Sequence, residues 1–138
     1  MISSLWITYA LFTQALQVTV HLWPLSGLLT LNALAAIAFS RAHYSPERFC
    51  TLLSSFVWPA LILGIGGACW NLGDRMSDSA IPTIGVTVIF GIQILLSLGI
   101  IYRLAGNRWV ATSVSMIAVW FGLISWFLAG MALTGVWL

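Results

Sequence analysis

Polar side chains interrupt this chain in few places, and their spacing sets its architecture. All five arginines and all three acids fall in three short windows: 41–48 (RAHYSPER), 74–78 (DRMSD) and 103–108 (RLAGNR). Apolar stretches run over 49–73, 79–102 and 109–138, and the first forty residues carry no charge. Each stretch exceeds the roughly 20 residues with which a helix crosses about 30 Å of hydrocarbon. Strands with unpaired backbone groups are not tolerated in lipid, and the alternating short segments of a transmembrane barrel are absent. The pattern therefore predicts an all-α, polytopic transmembrane bundle with short loops and no soluble domain. Three of its spans lie at about 50–73, 80–102 and 109–136.

The N-terminal stretch is too long for one upright span. A single helix over residues 5–39 would reach about 52 Å, nearly twice the hydrocarbon thickness. The segment VTVHLWPLSG, residues 18–27, contains the means to divide it. Pro24 suits the first turn of a new helix, and Ser26 and Gly27 ease a reversal. A hairpin with arms at about 5–22 and 24–41 is favoured, giving five spans. One helix kinked at Pro24, which membrane helices tolerate, would give four. The hairpin brings Gln14 and Gln17 to the depth of Asn32, where amides can bond across the arms. It also puts Trp23 at the outer surface, His21 near water and the N-terminus in the cytoplasm. The kinked helix strands His21 at the bilayer centre, with Gln14, Gln17, His21 and Asn32 on one face.

Composition agrees with lipid as the solvent. Of 138 residues, 61% are hydrophobic and 6% charged, against about a quarter charged in soluble domains. The length suits a single integral membrane domain over 1–138. A net charge of +2 without a basic cluster excludes a nucleic-acid footprint. No Lys or Arg precedes the first apolar run, so it is expected to be a mature span rather than a cleaved signal. Arg41, Arg48, Arg103 and Arg108 lie in the first and third windows, and Arg75 alone in the second. The positive-inside rule then makes loops 41–48 and 103–108 cytoplasmic in a cell (inner) membrane, with loop 74–78 and the C-terminus outside. Trp6, Trp23, Trp70, Trp109 and Trp137 fall near span ends, as interfacial anchors do. Trp58, Trp120 and Trp126 fall within spans and are expected to fill gaps between helices.

Small residues mark faces where helices approach closely. Ala60, Gly64 and Ala68 recur at four-residue spacing, with Gly66 and Gly67 beside them, and Pro59 should kink that span. Gly85, Gln93 and Ser97 share one face of the next span, and Ala118, Gly122 and Gly130 mark the last. Bundle packing accounts for most such patterns. The sharper expectation is that Ala60, Gly64, Ala68, Gly85 and Gly122 meet other membrane subunits or further copies of the chain.

Candidate chemistry is sparse. No span contains Asp, Glu, Lys or Arg, the usual coupling groups of pumps and transporters. The intramembrane glutamate of small multidrug exporters is missing, as is the CxxC of membrane disulfide oxidoreductases. Cys50 and Cys69, on one helix, would stand roughly 28 Å apart, too far to pair. Nucleophile motifs are absent, so an enzyme is not expected. The densest polar feature within a span is Gln14–Gln17–His21, which with Asn32 forms the candidate cofactor-binding set. His21, Cys69, Asp74 and Asp78 are the weaker candidates for a metal, since no metal-ligand spacing accompanies them. His21 and His43 fall on opposite sides in the hairpin and could not share a haem iron, which leaves a pigment or haem on one histidine as a third reading. The first is an accessory, structural or assembly subunit of a larger membrane complex. The second is a homo-oligomeric channel or facilitator lined by Gln14, Gln17, His21, Asn32 and Gln93.

Overall fold

The computed structural model describes residues 4–39, 46–70 and 81–134, and among these every regular element is helical. The helices are α1 (Ser4–His21), α2 (Trp23–Phe39), α3 (Pro46–Ser54), α4 (Val57–Trp70), α5 (Ile81–Arg103) and α6 (Arg108–Thr134). A 3-10 turn, Ala105–Asn107, joins α5 to α6. Loop 74–78 and most of 41–48, including His43, lie outside the described residues. Three helical runs are long and apolar enough to cross a membrane: Cys50–Cys69, Ile81–Arg103 and Arg108–Thr134. The pair α1–α2 adds a fourth if its two bent arms count as one span.

Helix α6 is the central element, packed against α1, α2, α4 and α5. Eight of its eleven buried residues are Gly, Ala or Ser, from Ala111 to Ala132. Small side chains let several backbones approach one helix, which is how association proceeds where lipid is as apolar as the side chains. Gly66 lies against Ala129, whose Cα a Cβ there would meet at 3.1 Å, and Gly67 lies against the Thr8 backbone at 2.9 Å. Those two glycines bring α4 onto α6 and α1.

The break between α1 and α2 falls at Leu22 and turns the chain by 86°. Pro24 offers no N–H to the carbonyl of Val20, and its ring would collide with that carbonyl in a continuous helix. Leu22 N–H still bonds Val18 O at 2.9 Å, but Leu25 N–H turns to Leu22 O at 3.0 Å. The Ser26 hydroxyl reaches Thr19 O at 2.9 Å, taking up a carbonyl that the break leaves without its helical donor.

The expected reversal at this point does not form. Ile7, Leu11 and Ala15 of α1 cluster with Leu63, Ile124, Leu128 and Ala132. At the other end of α6, Ala36 of α2 clusters with Leu52, Val110 and Ala111. The N-terminus of α1 and the C-terminus of α2 therefore pack toward opposite ends of α6. The length argument for a hairpin treats each arm as upright. Shared equally between the arms, a bend of 86° would lean each by about 43°, and 36 residues would then advance only about 39 Å along the axis. Asn32 donates to Ser113 Oγ at 2.9 Å instead of meeting Gln14 or Gln17. Trp23 starts α2 beside the break rather than at an end of the bundle.

Near Pro59, where a kink is expected, the helix is interrupted. The helix opens at Ser55–Phe56, where Ser55 N–H bonds Leu52 O at 3.3 Å and Phe56 N–H bonds Leu53 O at 3.0 Å. Pro59 cannot donate to Ser55 O, and the chain tightens before it. Cys50 and Cys69 are both free, as their spacing required. Helix α5 buries Val86, Gln93 and Ser97 on one face and exposes Ile84, Val88, Leu95 and Leu98.

Candidate functional site

A cavity of about 740 Å³ lies between the C-terminal half of α1 and α6. Gln14, Gln17, Val18, His21 and Leu22 form the α1 wall. Opposite stand Trp120, Leu123, Ile124, Phe127 and Met131, with Trp126 and Leu128 beside them. Residues 120, 123, 124, 127 and 131 share one face at helical spacing, separate from the small-residue face that packs α6 against its neighbours. The bend at Leu22 lets α1 and α2 lean over α6, and a second pocket of about 430 Å³ continues under α2. Leu25, Leu29 and Met116 help line it, and Trp120 and Leu123 stand between the two spaces.

His21 is held at the end of α1 by a 2.8 Å hydrogen bond between Nδ1 and Gln17 O. A carbonyl oxygen only accepts, so Nδ1 is the donor in this bond and Nε2 is left unengaged by it. Trp120 is 12 residues beyond Arg108, about 18 Å along α6 and close to half the depth of a spanning helix. His21 faces that level. The side-chain amides of Gln14 and Gln17 form no hydrogen bond among the described residues. Gln14 is half-buried and Gln17 exposed, so with lipid around the bundle their unpaired amides would each cost several kcal/mol.

The other candidate residues lie elsewhere. Asn32 is committed to Ser113 on the far arm. Gln93 is wholly buried, donates through Nε2 to Ala118 O at 2.8 Å and lies over Gly122. The five-residue lining expected for a channel is therefore not assembled within one chain. Cys69 lies two residues past Gly67, which abuts Thr8. Thr8 is about 20 Å along α1 from His21, so Cys69 and His21 cannot share an ion. Asp74 and Asp78 lie outside the described residues, and among those described no three His, Cys, Asp or Glu side chains gather as a metal site.

The aromatic wall is what sequence reasoning missed. Trp120 and Trp126 looked like packing residues, and Trp126 does pack: its ring stacks on Phe90 at 5.9 Å and its Nε1 donates to Thr87 Oγ1 at 3.1 Å. Trp120 Nε1 is buried with no partner. The run of large residues at 120, 123, 124, 127 and 131 is visible in the sequence, but nothing there says that α1 lies across it. No family model, curated protein or solved structure matches the chain.

Proposed function

We propose that this chain is a small multi-pass subunit of a larger membrane complex, held there by close helix contact. The observation that carries this reading is how the small residues divide. Gly66, Gly67 and Gly122 are used up inside the bundle, where a Cβ would collide with Ala129, Thr8 and Gln93. A Cβ at Gly64 would meet nothing within 4 Å, and Ala60 and Ala68 on the same face are exposed. The same holds at Gly85 and Gly99 of α5. A glycine within a helix costs about 1 kcal/mol relative to alanine, a cost offset where another backbone comes close. Open glycines on the outside of a membrane bundle thus suit contact with a further helix. Of the residues expected on a partner face, Gly122 is used inside the bundle, Gly64 and Gly85 stay open, and Gly99 joins them.

The reading places the chain in a cell membrane with four spans, α1–α2 forming one broken span. Loops 41–48 and 103–108 face the cytoplasm under the positive-inside rule. Purification in mild detergent tests the subunit role. Wild-type chain should carry a stoichiometric partner, and Gly64→Leu should be isolated folded but alone, since a Cβ at that position meets nothing within 4 Å in the bundle itself. Wild-type chain recovered only as a lone monomer would count against the proposal.

A further inference from the structure

We propose that the cavity beneath the α1–α2 break binds a metallotetrapyrrole, with His21 Nε2 as an axial ligand to its metal. The site is built from this chain alone, so it stands apart from the subunit reading.

Three observations converge. The Nδ1–H bond to Gln17 O fixes both the tautomer and the ring, leaving Nε2 as the available donor. Metal-ligating histidines are typically held by such a bond from their other nitrogen. The cavity, about 740 Å³, is of cofactor size, and Trp120 and Phe127 line it together with His21. Gln14 and Gln17 place two unpartnered amides on the His21 side of the same space. These suit the carboxylate edge of a porphyrin, where their N–H groups make charge-assisted hydrogen bonds.

The scarcity of other ligands selects the class of guest. A bare cation needs several protein donors, and no group of three His, Cys, Asp or Glu exists among the described residues. A tetrapyrrole brings four nitrogens of its own and requires one imidazole from the protein, as in globins and peroxidases. Its hydrophobic plane also reaches a cavity that opens between α1 and α6 directly from lipid.

Titration of the full-length detergent-solubilised chain with ferric haem tests this assignment. We expect a sharpened, red-shifted Soret band that saturates at one haem per chain. His21→Ala should retain the helical circular dichroism but lose the band, and added imidazole should restore it. Gln14→Leu with Gln17→Leu should keep the band position while weakening binding by roughly a hundredfold, the effect of two charge-assisted hydrogen bonds. Absence of a saturable band, or the same band in His21→Ala, would overturn the proposal and mark the haem as merely dissolved in the detergent or the groove.

Discussion

Gln93 and Gly122 act as a single unit. The carboxamide is fully buried, and a Cβ at Gly122 would stand 2.8 Å from its Cδ. Gln93 Nε2 spends one hydrogen on Ala118 O, and Oε1 is left without a partner. The side chain therefore earns its place by filling the space that glycine leaves, more than by its bonds. Gly122→Ala should destabilise the bundle by about 1–3 kcal/mol, the usual range for overpacking. Gln93→Ala should relieve part of that loss, so a double-mutant cycle read by reversible unfolding in mixed micelles should give a coupling of at least about 1 kcal/mol. Strict additivity would mean that the two side chains do not share the site. Gly67→Ala offers no full rescue, because behind the Thr8 hydroxyl, which could be trimmed, the Thr8 backbone itself stands at 2.9 Å.

At the scale of elements, proline locates the breaks and the neighbouring hydroxyls and surfaces set their angles. Both breaks were legible in the sequence: Pro24 marks the one at Leu22, and Pro59 the one at Ser55–Phe56. The helix limits were legible too, because charged windows bound them. The 86° angle was not, since it depends on Ser26 reaching back to Thr19 O and on both arms lying against α6. The polar half of the candidate site, Gln14–Gln17–His21, could be found from spacing alone. Its aromatic half could not, because periodicity gives each helix a face but does not pair the faces. Spin labels at Leu5 and Leu34, both exposed, measure the bend directly. At 86° their backbones stand about 32 Å apart, against about 44 Å for a straight helix of the same length. Pro24→Ala combined with Ser26→Ala should move the distance distribution toward the longer value. An unchanged distribution would show that contact with α6, and not the local bonds, imposes the angle.

For the whole molecule, the direction in which the bent pair crosses decides where the N-terminus lies. The α1 end that packs beside Ala132 is opposite the α2 end that packs beside Val110. Arg103 and Arg108 belong to the Val110 end, two of the arginines whose bias assigns the cytoplasmic side. A cysteine at Ser3, just ahead of the described residues, should therefore react from outside the cell. The hairpin arrangement requires the reverse, because it returns both ends of residues 5–41 to one side. The experiment replaces Cys50 and Cys69 by alanine and adds one cysteine at Ser3, or at the exposed Gly106 as a cytoplasmic reference. A membrane-impermeant maleimide applied to intact cells should label the first and spare the second until the membrane is permeabilised. Labelling of both only after permeabilisation would restore five spans and move His21 from mid-membrane to the outer surface. It would also deny the cavity its hydrocarbon surroundings, the condition under which the unpaired amides of Gln14 and Gln17 call for a ligand.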